Sequence, residues 1–328
     1  MMDTDTIDML RTSLRHVLTQ DSTQSLGQRL DELGWDEVVA DDASTALRTL
    51  FEIKGDTVSS ADALGPRLAA ALAAAAGDAD LATVVVALPS PFGESVDDAG
   101  AGQLVVEALT LSAPPAGFTI VVPVGSNPRL ALVTISPTTS LAAAPLTGVD
   151  DQFGLHRVTG TVSGRDVRWL DDHTAPDLWS AVVTHGRWLV SCELVGIARH
   201  VIASAAQYTG ERVQYGRPIG TFQALQHRIA SAYALVVGAA HVAEEAGNAG
   251  DEWSALVAKA VAGQAAEFAC TQAQQCYGAI GFTWEHEFHH YLRRTYVLDR
   301  LFGDWRTLET EIGTRLLSTG VVPHIGAL

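Results

Sequence analysis

Among the side chains able to carry chemistry, the most compact group is His286-Glu287-Phe288-His289-His290, which fits H-E-x-x-H. On a helix that spacing sets two imidazoles at i and i+4 beside a carboxylate, the arrangement with which zinc proteases hold their metal. Five-residue matches arise by chance in a chain with 11 histidines. This one also follows a glycine-rich stop, so no metal site is expected. Glu244 and Glu245 close a helical run before Gly247 and read as a solvated pair. Cys192, Cys270 and Cys276 all fall in helical segments. They are too few for a disulfide framework and not spaced as zinc ligands, so buried, reduced thiols are expected. The sequence holds no glycine-rich phosphate loop after a strand and no nucleophile elbow.

Charge narrows the partners. Twenty-one Lys and Arg against 38 Asp and Glu give a net charge of −17. Such a field repels phosphate backbones, so nucleic-acid binding is not expected, although a few local arginines suffice for one anionic ligand. The acidic start MMDTDTIDMLRTSL does not resemble a secretory signal. The most apolar windows, Leu68–Ala76 and Val182–Val190, fall short of the about 20 residues of a membrane span. A cytoplasmic protein is expected.

Three textures position these residues. Residues 1–80 spell short helices: Asp5 stands before Ile7, Leu10, Leu14, Val17 and Leu18, and Ser60 and Asp62 precede an alanine-rich run ending at Gly77. Residues 81–175 carry short apolar runs parted by Pro, Gly, Ser and Asn, the pattern of a β domain. From residue 176 onward the helical period returns in four long runs, Asp177–Tyr208, Thr221–Ala246, Asp251–Tyr277 and Trp305–Leu317. Short connections between them predict a four-helix bundle. The expected fold is mainly α with a central β domain.

Two blocks in the bundle carry a resemblance. Tyr208–Ala230, YTGERVQYGRPIGTFQALQHRIA, fits Y-x-x-x-R-x-x-F/Y-G-x-x-I/L-x-x-F-Q-x-x-Q/K-x-x-L/I-A. Gln275–Arg294, QCYGAIGFTWEHEFHHYLRR, fits Q-x-x-G-G-x-G-F/Y-x-x-E with Ala279 in place of the second Gly. In order and separation the pair resembles the acyl-CoA dehydrogenase family, over roughly residues 176–317; the first 175 residues match it only in architecture. The resemblance implies N-terminal helices, a middle β-barrel-like domain and a C-terminal four-helix bundle. It also implies FAD and the α,β-desaturation of an acyl-CoA thioester, in which a carboxylate takes the α proton and a hydride passes to the flavin. The bundle of one subunit would grip the pyrophosphate and adenine of its neighbour's flavin.

The residues themselves agree with that reading. Arg212 is a fixed, forked cation suited to a pyrophosphate. Gln223 and Gln275 offer amides to phosphate, ribose or adenine edges. Gly278, Ala279 and Gly281 leave room for backbone to approach a ligand, and Tyr215 belongs to the same pattern. Taken singly, the GAIG stretch is also a plain helix stop and Arg212 a surface charge; together, and in order, they favour the cofactor.

The departures are as informative. The family's catalytic Glu occupies one of two places, which here are Phe302 and Gly186, and neither titrates. Asp304 is the nearest carboxylate to the first. The T-E-P-x-x-G-S-D turn that meets the flavin ring has only LPSPFGES, Leu88–Ser95, as a counterpart. Asp304 and Arg306 stand where a Thr and a Gln would face the subunit's own flavin. A half-site lent to a neighbour is therefore intact while the half-site facing its own ring is degraded. That asymmetry resembles the heteromeric, α2β2 branch of the family known from actinobacterial steroid side-chain degradation. In that branch one subunit supplies the base and the other completes a shared FAD site. A homomeric dehydrogenase using Asp304 and a flavin-free binding protein on the same fold are the alternatives.

Overall fold

The structure, a computed structural model, describes residues 2–90, 97–98, 103–114, 117–125, 128–135, 140–163 and 166–324. It divides into two compact units, Met1–Ala61 with Arg187–Leu328, and Asp62–Gly186.

In the first unit, four helices precede the bundle: α1 (Thr4–Thr19), α2 (Leu26–Asp31), α3 (Trp35–Asp41) and α4 (Ala43–Asp56). Asp3, not Asp5, caps α1, its carboxylate accepting the Thr6 N–H at 2.8 Å. α5 (Leu64–Ala76) belongs to the second unit, and α6 (Ala175–Glu211) enters the first at Arg187. α4 crosses α6 at very close range. A Cβ on Gly55 would stand 2.0 Å from the Glu193 carbonyl oxygen, and one on Gly196 2.0 Å from that of Glu52. Charged groups are buried at this crossing. The Lys54 ammonium donates to Glu193 at 2.7 Å, and Arg294 lies 3.6 Å from the same carboxylate. Glu52 accepts from Arg11 at 2.8 Å and from Arg199 at 2.6 Å. Burying these ions is tolerable only because each has its counter-charge.

The bundle continues with α7 (Gln223–Ala249), α8 (Glu252–Tyr277), α9 (Phe288–Arg300) and α10 (Trp305–Thr319). Alanines at helical spacing, such as Ala258, Ala262, Ala265, Ala269 and Ala273 of α8, are buried and permit close packing. α9 was not expected from the sequence: its Arg- and His-rich surface hides a buried stripe of Tyr291, Thr295 and Leu298. By length and hydropathy α6 could cross a membrane, contrary to the sequence reading of its apolar window. However, 72% of that 18-residue window is buried, as in the core helix of a folded domain.

The second unit holds two sheets. One has the order β1-β5-β6-β9, with β1 (Val85–Val86), β5 (Thr119–Val124), β6 (Arg129–Thr134) and β9 (Val167–Trp169). The other runs β2-β4-β8-β7, with β2 (Leu88–Pro89), β4 (Gln103–Thr110), β8 (His156–Ser163) and β7 (Ala142–Pro145); β3 (Asp97–Asp98) also pairs with β4. β4 and β8 pair in full antiparallel register from Gln103 opposite Ser163 to Thr110 opposite His156. Alternate residues from both sheets, among them Leu104, Val106, Ile120, Val122, Val133, Val158 and Val162, form one core. The expected fold class, mainly α with a central β domain, is the observed one.

Candidate functional site

The first block closes α6 with a two-residue hairpin. β10 (Val213–Gln214) pairs with β11 (Arg217–Pro218), and Tyr215 and Gly216 turn between them at φ 56° and 76°. Two successive positive φ values make the turn type that matches strand twist. Arg212 is tied at its backbone only: its N–H donates to Tyr208 at 2.9 Å and its carbonyl accepts from Ile219 at 2.8 Å. The guanidinium is exposed and has no partner among the described residues. Tyr215 is 90% exposed and meets Phe222 edge-on, and Arg217 lies 4.3 Å over the Phe222 ring. Gln223 is the exposed first residue of α7, whose N-cap, Phe222, offers no side-chain acceptor to the first N–H groups.

The second block ends α8. Gln275 is exposed on its last turn, and the chain leaves the helix at Gly278, φ 62°, into a 3₁₀ turn over Gly278–Phe282. Nothing lies within 4 Å of where a Cβ on Gly278 would be. Ala279 is exposed, whereas Gly281 is buried and a Cβ there would stand 3.0 Å from that of Tyr277. The two blocks meet through Tyr277, which packs edge-on against Tyr208 with ring centroids 5.3 Å apart and donates its hydroxyl to Ser204 at 3.0 Å. Phe282 and Trp284, each 75% exposed, continue the surface.

The other sequence candidates sit elsewhere. Gly186 is buried in α6. Phe302 occupies a tight turn at φ 60°, and its carbonyl accepts the Arg187 Nε–H at 3.2 Å. Asp304 is the N-cap of α10. Partial burial raises its carboxyl, but the Thr307 N–H and hydroxyl and the nearby Arg300 outweigh this and hold it below the usual carboxylate range. In LPSPFGES, residues 91–95 lie outside the described ones. His286 precedes α9, so it shares no helix with His290, and its Nδ1 accepts the Phe288 N–H at 3.1 Å.

Two residues were missed by the sequence reading. Lys259 is fully buried in α8 and donates to the carbonyls of Asp299 and Gly303, both at 3.0 Å. Burial pushes its ammonium down to about 8 despite Asp299 beside it. Arg187 joins the Phe302 carbonyl to Glu311. The lone Lys in the Ala- and Val-rich run ALVAKAVAG was the available signal for the first.

Comparison with known proteins gives a match over residues 178–317 to the acyl-CoA dehydrogenase C-terminal domain. Acyl-CoA dehydrogenase IpdE2 of Mycobacterium tuberculosis is 35% identical over 128 residues, 38% of this chain and 40% of that protein. The Mycolicibacterium smegmatis IpdE2 is likewise 35% identical, over 41% of its length. The aligned stretch thus spans well under half of these relatives. Among solved structures, the Tcur3481–Tcur3483 steroid ACAD has a TM-score of 0.75 at 21% identity, covering 96% of this chain and 98% of that one. The ChsE4–ChsE5 complex from M. tuberculosis has a TM-score of 0.73 at 18% identity, covering 98% and 97%. At these identities the likeness is one of fold.

Proposed function

We propose that the protein is a subunit of a heteromeric, FAD-dependent acyl-CoA dehydrogenase: residues 178–317 match that family's C-terminal domain, and the chain is similar in fold to its solved structures. It completes the FAD site of a partner chain, which supplies the catalytic Glu. The observation that carries this reading is Arg212, an exposed guanidinium without a partner among the described residues, near the uncapped start of α7, in a block that packs through Tyr208 on the one that holds the unobstructed Gly278. These groups fit the diphosphate of FAD: a forked cation, free N–H donors and a backbone that nothing shields. Arg212, Gln223 and the Gly278–Ala279 backbone would hold the diphosphate and its sugars, with Tyr215 and Gln275 flanking. When bound, the flavin supplies the hydride acceptor for desaturation.

The base is the missing part. Proton abstraction needs a titratable group whose heavy atom comes within about 2.6–3.2 Å of the α carbon. Gly186 and Phe302 have none, and Asp304 is occupied as a helix cap. That the similar structures include assemblies with two chain names, one of them called a steroid ACAD, supports both the partner and a steroid-type acyl-CoA as substrate class. An α2β2 assembly is proposed on the same ground.

Co-expression with a dehydrogenase-like chain that retains a Glu at either base position tests the reading. A yellow, active complex is expected, and a colourless, inactive protein when this chain is purified alone. Changing the partner's Glu to Gln is expected to abolish turnover with the flavin still bound. Turnover by this chain alone, with one FAD per chain, overturns the proposal.

A further inference from the structure

Between Gly196 and Gly210, α6 separates two concave sites that share a low ridge. On one side, α1, α4 and α6, with Glu287, border an open hollow of about 430 Å³ whose rim carries charged side chains. On the other, α6 and α7 enclose about 1000 Å³ lined chiefly by apolar groups, including Ile202, Ile229, Tyr233, Val236 and Val237. Arg199 and Ala203 line both. Ala203 is exposed and small, so a ligand can lie across the ridge without displacing a side chain.

In a chain whose net charge is −17, this hollow sets Arg11, Arg15, Arg199 and His200 among as many lining carboxylates as arginines, Glu52, Asp56 and Glu287. Arg11 and Arg199 each give one nitrogen to Glu52, and Arg15 pairs with Asp56. A guanidinium carries five N–H donors, so most remain for a ligand. His200 presents Nδ1 to Asp56 at 3.1 Å and stacks on Tyr291 with centroids 4.2 Å apart. Its buried Nε2 has no hydrogen-bond partner among the described residues, and a carboxylate oxygen of the exposed Glu287 is 3.8 Å away. Fixed guanidinium forks match a planar carboxylate. The apolar volume is at the upper end of the roughly 300–1,000 Å³ typical of small-molecule sites.

We propose that the Arg199–Ala203 ridge is a binding site for an amphiphilic carboxylate, its apolar body in the α6–α7 groove and its head among Arg11, Arg15, Arg199 and His200. The site is separate from the turn at Phe302. Arg187, which holds that turn, lies twelve residues earlier on α6, about 18 Å along the helix axis. The site's apolar groove borders the block assigned to the flavin, since Thr209, Pro218, Thr221 and Gln226 also line it.

Calorimetric titration of the full chain with decanoate, decanol, decylamine and acetate tests it. Decanoate is expected to saturate one site per chain, with decylamine and acetate at least tenfold weaker. Ala203→Trp, which blocks the ridge, is expected to weaken decanoate and decanol together at least tenfold. Arg15→Gln, at a side chain 53% exposed, is expected to weaken decanoate severalfold and leave decanol unchanged. Equal affinity for the three ten-carbon compounds would reduce the groove to an apolar patch and overturn the proposal. So would the absence of saturable decanoate binding, or insensitivity to both substitutions. Loss of decanoate binding in the partner complex, with amides of Arg199–Gly210 newly protected from exchange, would assign the groove to the partner chain instead.

Discussion

Arg212→Ala separates a ligand contact from a structural one, because this side chain has no partner among the described residues. Its guanidinium is exposed and unpaired among the described residues, and the backbone bonds to Tyr208 and Ile219 survive the substitution. Folding stability is therefore expected to stay within about 0.5 kcal/mol of the parent. A charge-assisted hydrogen bond to a diphosphate is worth about 1.5–3 kcal/mol. At about 1.4 kcal/mol per factor of ten, the Kd for FAD in the assembled complex should rise roughly 10- to 150-fold. Arg212→Lys should fall between, since an ammonium keeps the charge and loses the fork. Titrating flavin-stripped complex with FAD and following flavin fluorescence measures Kd, and a thermal melt of the same sample checks the fold. An unchanged Kd refutes the assignment of Arg212 to the cofactor. A weakened Kd with an equal fall in Tm refutes the claim that the side chain serves only the ligand.

Other expectations come from packing and titration. Gly196→Ala drives a methyl into the Glu52 carbonyl oxygen and should cost at least about 1–3 kcal/mol in urea denaturation. Gly238→Ala, with open space around it in α7, should gain about 0.5–1 kcal/mol. Burial, aided by the charge of Arg67, pushes His185 down to about 4. It is neutral when folded, so the stability it allows is complete above its ordinary 6.5 and is lost as pH falls toward 4, on the order of 3 kcal/mol. A His185→Gln chain should show a flatter stability profile over that range. Lys259 titrates in the same sense at higher pH: between pH 8 and 10.5 the unfolded chain holds a proton that folded Lys259 has lost. Parent stability minus that of Lys259→Met should therefore grow with pH across that window, and a difference that falls would place the Lys259 pKa wrongly.

The bundle was legible because its apolar residues recur every three or four positions over long stretches, and the central strands because short apolar runs alternate with turn formers. What escaped has physical causes. β7 is Ala-Ala-Ala-Pro with all four residues exposed, so no alternation marks it. α9 buries Arg294 among its stripe, which breaks the apolar pattern that would have announced a helix. The ion pairs at the α4–α6 crossing join residues more than a hundred positions apart, such as Lys54 with Glu193, and no local rule pairs them. Arg212, Gln223, Gln275 and Gly278 could be proposed because they fall in two motif blocks, which the structure places at turns and helix ends. Arg187 and Lys259 act on backbone carbonyls across the bundle, and spacing in the sequence does not record such contacts.

Those carbonyl contacts bear on the proposed function, in which the partner chain supplies the base and this chain keeps the fold without one. The turn from Leu301 to Asp304 holds Phe302 at φ 60° and Gly303 at φ 103°, a conformation that strains a non-glycine residue by about 1–3 kcal/mol. It is fixed by Lys259 on the Gly303 carbonyl, by Arg187 on the Phe302 carbonyl and by Asp304 capping α10. None of these contacts uses the Phe302 side chain. The position is thus free to carry a carboxylate or a phenyl ring on the same backbone, and the strain is met by the frame rather than by the residue. In a dehydrogenase built from two unlike chains, one scaffold can then keep a base at this turn while its counterpart keeps only the turn.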